Sequence, residues 1–333
     1  MKIQKTELQK ALTAVKPGLA TKELIEQSTS FAFVDGKVVT YNDELSISYP
    51  LKEMEITGAV QAEQLYKLLS KLKGDELNME IVDSELLIKC GKQKAGMTIK
   101  EEINLPIEEI GEISKWKKLP ADFLKHISMA SNSCSTDMMK PVLTCIHLTD
   151  TEIIGTDGFQ VIRIASESIG IEDTLLPANM VSHIVSAKPI QISKGEGWVH
   201  FRTKEKAVLS CRIFEDKYPD VSKFFEVEGE KVVFPEVVKS IIDKAGIFSK
   251  ADTAIDEMIT IAIDSKKMTI TGKGESGWYE ESCKVDYAGE ETSFNVTPYL
   301  LTNILSIIQE CVLSEQRVLF QNKEISYLAM LRV

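Results

Sequence analysis

Three stretches of eleven residues share one pattern of apolar and polar positions. They read VQAEQLYKLLS at 60–70, LPANMVSHIVS at 176–186 and VTPYLLTNILS at 296–306. Each opens on an apolar residue, continues with small or polar residues, and then places apolar residues on one helical face before a serine. This spacing predicts an amphipathic helix in each stretch. The offsets of 116 and 120 residues indicate an internal repeat.

A second helix-like pattern recurs before each of these stretches. ELQKAL at 7–12, DFLKHI at 122–127 and EVVKSI at 236–241 share the order acid, apolar, any residue, lysine, any residue, apolar. Because two separate segments repeat at nearly the same period, the sequence predicts three copies of one unit. The six predicted helices span 5–16, 61–73, 120–130, 178–188, 234–250 and 296–310.

Strand-like alternation of apolar and polar residues fills the chain between and after these helices. Short polar turns such as Asp35-Gly36 and Asn322-Lys323 mark hairpins. Each unit therefore reads helix, strands, helix, strands. We predict an α+β fold of three repeated domains, each with two helices packed on antiparallel sheets. The predicted domains span 1–115, 116–226 and 227–333.

The formal charge of the chain is unevenly distributed. The net charge of −11 favours solubility and, taken alone, argues against nucleic acid as a partner. The six predicted helices nevertheless carry +5, which leaves −16 on the rest of the chain. The predicted helices are therefore mildly basic, whereas the rest of the chain is acidic.

Composition and known targeting patterns place the protein in the cytoplasm. The chain is 44% hydrophobic and 27% charged, as in ordinary globular proteins. We find no secretory signal and no apolar run of the roughly 20 residues that cross a bilayer, so no membrane contact is expected. The six cysteines form no CxxC motif, and we expect reduced, mostly buried thiols. They are Cys90, Cys134, Cys145, Cys211, Cys283 and Cys311.

Motifs for catalysis and cofactor binding are missing from the sequence. GKGESG at 272–277 matches GxGxxG but leads into a strand, whereas a dinucleotide site needs a helix there; we interpret it as a hairpin loop. The four histidines lack metal-ligand spacing, and IEEIGEI at 107–113 is interpreted as a solvated acidic linker. We therefore predict a protein without catalytic residues, metal or cofactor.

Five segments, in order along the chain, resemble one family. They are PVLTCIHL at 141–148, GTDGFQVIRIA at 155–165, LSCRIFEDKYPDV at 209–221, FNVTPYLLTNIL at 294–305 and YLAMLRV at 327–333. With the triplication, this set resembles the beta subunit of bacterial DNA polymerase III, the replicative sliding clamp. The resemblance implies three repeated DNA-clamp domains and a homodimeric ring around double-stranded DNA. It also implies that the ring tethers DNA polymerase, the clamp loader and repair proteins and has no enzymatic activity.

The resemblance assigns three sets of residues. Lysines on the helices would face DNA: Lys10, Lys67, Lys71, Lys125, Lys188 and Lys239. A pocket for short partner peptides with apolar and aromatic anchors would contain Leu143, Thr156, Gly158, Phe159, Gln160, Val161, Pro219, Lys223, Phe224, Tyr327, Ala329, Met330, Leu331, Arg332 and Val333. The dimer interface would contain Ala95, Met97, Ile99, Ile247 and Phe248.

The sequence departs from the family pattern at several of these positions. Gln160 stands where the family usually has a basic residue, and Ala329-Met330-Leu331 replaces a Met-Pro-Met run. Ala95 replaces a bulky apolar residue at the ring-closing edge, which implies a weaker dimer. These departures, with a shorter chain, suit a clamp encoded by a phage or mobile element.

Two alternatives to an encircling clamp stay open. The first is a non-encircling protein of clamp fold that binds or titrates polymerase and clamp-loader partners, and weak ring-closing residues favour it. The second is an enzyme on a repeated α+β scaffold, which requires a convergent polar cluster in a pocket.

Overall fold

Six α-helices occur within the described residues, two in each third of the chain. The computed structural model describes residues 1–111, 113–252 and 255–332. The helices confirm the six predicted positions, with shorter bounds. They are α1 (Lys5–Val15), α2 (Ala62–Lys71), α3 (Phe123–Ser131), α4 (Val181–Ala187), α5 (Val237–Ala245) and α6 (Pro298–Thr302).

Helix α6 is much shorter than the predicted span of 296–310. It begins at Pro298, whose fixed φ suits the first helical position, and continues only as a 3₁₀ turn at Ile304–Ser306. Ile307 then leaves helical geometry, with φ −122°. The isoleucines in this segment are β-branched, which lowers their helix propensity. The prediction of a long helix was therefore wrong here.

Short antiparallel strands make up most of the remaining structure. In chain order they are β1 (Lys2–Gln4), β2 (Ser30–Val34), β3 (Lys37–Tyr41), β4 (Leu45–Pro50), β5 (Gly58–Gln61), β6 (Glu76–Val82), β7 (Glu85–Cys90), β8 (Gln93–Lys100), β9 (Lys117–Lys118), β10 (Cys145–Leu148), β11 (Glu152–Thr156), β12 (Gln160–Ala165), β13 (Thr174–Pro177), β14 (Gln191–Lys194), β15 (Trp198–Arg202), β16 (Val208–Arg212), β17 (Glu230–Val233), β18 (Ile259–Ile263), β19 (Lys267–Gly274), β20 (Gly277–Lys284), β21 (Thr292–Val296), β22 (Glu310–Leu313), β23 (Arg317–Gln321) and β24 (Ile325–Met330).

The chain divides into two compact units. The first comprises Met1–Ser128, Leu148–Asp150 and Glu167–Glu215, and the second comprises Met129–His147, Thr151–Ser166 and Asp216–Val333. The middle third of the sequence therefore contributes to both units.

One twelve-stranded sheet runs through the first unit. Its order is β1-β6-β7-β8-β5-β2-β3-β4-β16-β15-β14-β9, and β4 pairs with β16 through Leu45 and Cys211. Helix α1 buries Leu8, Leu12 and Val15, which lie on one face at helical spacing, and this face packs against β3 and β4. The tight turn predicted at Asp35-Gly36 joins β2 and β3.

Two sheets make up the second unit. One contains β10-β11-β12-β24-β23-β22-β17 in that order, and the other contains β20-β19-β18-β21. Helix α5 buries Val238, Ile241 and Ile242 and packs against β19 and β20. The GKGESG stretch forms the turn between β19 and β20, where Gly274 pairs with Gly277, as predicted.

The end of the first helix of each repeat meets the sheet at equivalent positions. Gly155 and Gly272 lie so close to α3 and α5 that a Cβ on either would overlap the carbonyl of Ala130 or Ala245. The first repeat has Thr40 at this position, and its hydroxyl donates to the carbonyl of Val15 at 2.6 Å. The same helix–sheet contact therefore occurs three times, twice as a close approach at glycine and once as a threonine hydrogen bond. This recurrence supports the internal triplication.

The acidic segment after β8 is partly packed. Ile107–Ile110 forms a 3₁₀ turn in which Glu108 and Glu109 are exposed. Ile107 and Ile110 pack against a buried cluster that includes Tyr41 and Trp198. The interpretation as a solvated acidic linker therefore holds for the exposed glutamates but not for the two isoleucines, which cover this cluster.

The described residues also bear on the cysteines and on membrane contact. All six thiols are free, and four are buried, while Cys134 and Cys283 are half-buried. Burial raises the pKa of Cys211 to about 12, so its thiol stays protonated.

No helix in the described parts of the chain is both long and apolar enough to cross a bilayer.

Candidate functional site

The turn between β11 and β12, Thr156–Gln160, is held by its own side chains. The Thr156 hydroxyl donates to the carbonyl of Gln160 at 2.6 Å and accepts the amide of Gly158 at 3.1 Å. Asp157 Oδ1 accepts the amides of Phe159 at 2.8 Å and Gln160 at 3.0 Å. Gly158 has φ +94°, which favours glycine, and Phe159 is 44% exposed.

Strand β12 lies beside the last strand of the chain. Gln160 pairs with Ala329, and the carbonyl of Phe159 accepts the amide of Met330 at 2.8 Å. Two segments that the resemblance assigns to one pocket, about 170 residues apart in sequence, are therefore neighbours in the second unit.

Four polar side chains form a network behind this turn. Asp157 Oδ2 accepts Gln160 Nε2 at 2.9 Å and the Tyr299 hydroxyl at 3.1 Å. The Tyr327 hydroxyl lies 2.6 Å from Gln160 Oε1 and also contacts the carbonyl of Leu300. Burial raises the pKa of both tyrosines, so both hydroxyls keep their protons as donors.

Two further predicted segments pack near the same strands. A 3₁₀ turn at Ser222–Phe225 contacts β24 and leaves Phe224 45% exposed. The Arg163 guanidinium lies 4.4 Å from the centre of the Phe225 ring. A second 3₁₀ turn at Pro141–Thr144 contains Leu143 and packs on β11.

The predicted pocket residues divide by exposure. The exposed ones are Gly158, Phe159, Pro219, Lys223, Phe224 and Arg332. The half-buried ones are Leu143 and Met330. The buried ones are Thr156, Gln160, Val161, Tyr327, Ala329 and Leu331. Val333 lies outside the described residues. The exposed set is therefore accessible from solvent, whereas the buried set is covered by the surrounding structure.

Sequence reasoning missed three residues of this region. Asp157 organises the 156–160 turn, Tyr299 donates to Asp157, and Asn295 exchanges backbone hydrogen bonds of 2.7 and 2.8 Å with Arg332. The Asp-Gly pair directly after a strand is a turn signal that could have identified Asp157. The other two contacts join distant segments and leave no local signal.

The predicted DNA-facing lysines all lie on or beside helices, and five of the six are exposed. Lys239 is half-buried, and its Nζ donates to Ser306 Oγ at 2.5 Å. Lys67 forms an ion pair with Glu63 one turn away on α2. Lys188 ends α4 in a left-handed conformation with φ 53°.

Strand β8 has a largely free edge. It pairs with β7 along its length, but in the described parts of the first unit it pairs with β5 only through Ile99 and Lys100. Ala95 and Met97 are half-buried on this edge, whereas Ile99 is buried. The structure therefore does not place Ile99 where a second subunit could contact its side chain.

Strand β20 forms one edge of the four-stranded sheet in the second unit. Next to its turn, Ile247 is 62% exposed and Trp278 is 67% exposed, while Phe248 is half-buried. The free part of β8 and its end carry Lys94 and Lys100, and β20 has a formal charge of −1. Among the described residues, both edges present backbone groups that pair with no neighbouring strand, a common basis of strand pairing between chains.

Metal chemistry has no visible site among the described residues. No group of three or more His, Cys, Asp or Glu side chains there is arranged to hold a metal ion.

Sequence comparisons and structural comparisons differ sharply. No protein-family model matches the sequence, and no curated protein matches it. Solved structures match over the full chain. The DNA polymerase III subunit beta from Pseudomonas aeruginosa has a TM-score of 0.87 and 16% identity, with 100% of each chain covered. The C. crescentus beta sliding clamp has a TM-score of 0.87 and 15% identity, covering 100% of this chain and 99% of that one.

A third match is a sliding clamp from Bartonella birtlesii bound to griselimycin. Its TM-score is 0.85 and its identity 18%, over 100% of this chain and 99% of that one. These matches show that the chain has the DNA-clamp fold of three repeated α+β domains. More narrowly, the fold is that of the beta subunits of bacterial DNA polymerase III.

Proposed function

We propose that this protein is a DNA sliding clamp, which closes as a homodimeric ring around double-stranded DNA and tethers DNA polymerase and other replication proteins. The observation that carries the proposal is the match in fold to beta sliding clamps, which covers 100% of this chain and 99 to 100% of those chains. A topological tether needs the whole ring-forming architecture, and a partial match would not support it.

Two free edges support ring closure. One edge, β8, belongs to the first unit, and the other, β20, belongs to the second. Two different edges on one chain allow a head-to-tail contact that is used twice, as a closed two-subunit ring requires. Exposed Trp278 in β20 and exposed Ile247 after α5 supply apolar area for such a contact.

The second unit supports the tethering role. Phe159 and Phe224 are large apolar side chains exposed near β24, beside the half-buried Met330. Aromatic and methionine side chains suit a groove that binds short peptides through a few apolar anchors. The partners we propose are DNA polymerase and the clamp loader.

Further parts of the proposal concern organisation and location. The domains are 1–115, 116–226 and 227–333, a division supported by the equivalent contacts at Thr40, Gly155 and Gly272. The protein acts in the cytoplasm and is non-catalytic. The lysines of the helices attract DNA phosphates weakly, because tight contacts would prevent sliding.

The test is topological. The protein is diluted to dissociate dimers and then concentrated in the presence of nicked circular plasmid, so that rings close around the DNA. A high-salt wash removes protein held only by charge. We expect retention on circles and loss after the plasmid is linearised, because a ring slides off a free end. Equal retention before and after linearisation would contradict encirclement.

Light scattering over roughly 100 to 0.1 µM gives the companion measurement. A mass near twice 37.2 kDa would support the ring. A monomer at every concentration, with no retention on circles, would instead favour the non-encircling clamp-fold protein that titrates partners.

A further inference from the structure

The carboxylate of Asp157 is fully occupied by the structure around it. It accepts two backbone amides of its own turn, the Gln160 side-chain amide and the Tyr299 hydroxyl, all between 2.8 and 3.1 Å. Four acceptor positions are the capacity of a carboxylate. These four hydrogen bonds hold the Asp157 side chain in one position within the second unit. Its carboxylate therefore has little capacity left to bind a ligand.

Gln160 connects this carboxylate to the last strand. Its side chain is 4% exposed, with Nε2 directed to Asp157 and Oε1 to the Tyr327 hydroxyl. Only this amide orientation gives a donor facing the acceptor-only carboxylate and an acceptor facing a protonated hydroxyl. A neutral amide can do both at once, whereas a lysine or arginine side chain could only donate.

The network fixes one exposed ring. Phe159 lies between Gly158 and Gln160, and its amide and carbonyl are bound by Asp157 and by Met330. Phe159 as a whole residue nevertheless remains 44% exposed. A rigid backbone below an exposed aromatic ring reduces the ordering cost when a partner binds.

We propose that Gln160 and Tyr299 are positioning residues of the peptide groove, which hold the 156–160 turn so that Phe159 is presented as a preorganised anchor contact. Neither residue touches the partner. This inference rests on the proposed function, since it requires that a peptide binds at this turn.

The first test measures binding of a fluorescein-labelled heptapeptide with two leucines and a terminal phenylalanine, by fluorescence anisotropy. An otherwise identical peptide with alanine at the three anchors gives the background. We expect Tyr299→Phe to weaken binding about tenfold, the loss of one hydrogen bond to a charged group. Tyr287→Phe is the matched control, because Tyr287 is buried in the same unit outside the network. Equal losses in the two variants would overturn the proposal.

A double-mutant cycle separates positioning from general destabilisation. Phe159→Ala removes the contact that Tyr299 is proposed to position. If Tyr299 acts through Phe159, adding Tyr299→Phe to Phe159→Ala causes no further loss. Fully additive losses would show that Tyr299 does not act through this ring, and would contradict the proposal.

A pH profile tests Gln160. Gln160→Glu places a second carboxylate against Asp157, and two such groups cannot both stay charged at low cost. We expect at least about tenfold weaker peptide binding at pH 8 than in the unaltered protein, with recovery toward pH 5 as one carboxyl is protonated. Gln160→Met, which cannot titrate, should show a constant defect. A flat profile for Gln160→Glu would overturn the role of Gln160.

Different results would refute the proposed peptide groove and the proposed positioning role of Gln160 and Tyr299. If the unaltered protein does not bind the heptapeptide more tightly than the alanine-substituted peptide, the peptide groove itself is refuted, and the positioning role with it. If it binds and all network variants bind equally well, only the positioning role is refuted. Thermal unfolding of each variant, followed by circular dichroism, verifies that the compared proteins are folded.

Discussion

Arg212 and Asp43 lie 169 residues apart in the chain and are joined by two hydrogen bonds. Arg212 Nε donates to the Asp43 carbonyl at 2.7 Å, and Nη2 donates to its carboxylate at 2.8 Å. The same guanidinium donates to the Tyr41 hydroxyl at 3.0 Å and lies 4.6 Å from the centre of the Trp198 ring. One side chain thus connects the first and middle repeats where β4 pairs with β16.

We expect Arg212→Lys to lower the free energy of unfolding by about 1 to 2 kcal/mol. An ammonium cannot reproduce the fork of hydrogen bonds or the flat contact with the indole ring. The estimate is modest because the Arg212 side chain is 40% exposed. Urea denaturation followed by tryptophan fluorescence gives the value. Lys89→Ala, which removes an exposed ion pair with Glu80, is the control and should change stability by less than about 0.5 kcal/mol.

The second prediction concerns the close approach of β19 to α5. A Cβ at Gly272 would lie 2.6 Å from the carbonyl carbon of Ala245 and would overlap its oxygen. Both groups are backbone, so neither can rotate away, and Gly272→Ala should cost about 3 kcal/mol.

Gly96→Ala is the matched control for this substitution. The new methyl group would meet the ends of two side chains, the Glu85 carboxylate at 3.0 Å and a Leu87 methyl group at 3.3 Å, and both can shift aside. Stability should change by less than about 1 kcal/mol. Thermal unfolding compares the two variants, and equal melting temperatures would contradict the steric account of Gly272.

Local patterns made much of this fold predictable. Helical spacing located α1 to α5, and Asp35-Gly36 identified a hairpin, because each signal depends on residues within one or two turns. The early end of α6 was not predictable, since Ile304 and Ile308 fit a helical stripe equally well as buried side chains of a 3₁₀ turn and loop. The packing of Ile107 and Ile110 also depends on residues distant in sequence.

The sequence could locate the candidate site, but it could not separate its exposed residues from its buried ones. The resemblance selected Gln160, Phe159 and Tyr327 together, and the structure brings them together. It could not indicate that Phe159 is exposed while Gln160 and Tyr327 are buried. The bond between Asp157 and Tyr299 spans 142 residues and leaves no periodic signal. The partner-contact roles of these residues stay predictions.

A third prediction follows from a buried histidine. His200 is 1% exposed, its Nδ1 lies 2.9 Å from Ser210 Oγ, and burial lowers its pKa to about 4. The folded state therefore resists protonation, whereas the unfolded chain protonates this side chain near pH 6.5. Its contribution to stability is complete above about pH 6.5 and is lost as pH falls toward 4, a total of about 3 kcal/mol.

His200→Asn isolates this contribution from the carboxylates that also titrate in acid. Asparagine is neutral throughout and can still bond to Ser210. The unaltered protein should lose more stability than the variant between pH 7 and pH 4.5, as measured by urea denaturation. Parallel losses in both proteins would mean that His200 is not protonated on unfolding.

The fourth prediction concerns two exposed apolar residues of the second unit, Ile247 and Trp278, which we call the apolar patch. Ile247 and Trp278 are more than half exposed, so replacing either by aspartate should leave the melting temperature nearly unchanged. If the patch closes the ring, the dimer dissociation constant should rise about tenfold or more. Light scattering over a dilution series measures it. Leu24→Asp replaces another exposed apolar residue, on the first unit, and should leave the mass unchanged.

The last prediction concerns charge and position. Lys71 on α2 is exposed and belongs to the set proposed to face DNA, whereas Lys89 on β7 belongs to a sheet. Each alanine substitution removes one positive charge, so a long-range effect of net charge would affect DNA binding equally in both variants.

A direct phosphate contact would separate the two lysines. The slope of log affinity against log salt should become shallower by about 0.9 for Lys71→Ala and stay unchanged for Lys89→Ala, because only a contacting lysine releases a counterion. Anisotropy titrations of a labelled duplex at several salt concentrations give both slopes. Equal slopes would mean that DNA responds to overall charge and that the helices are not its contact surface.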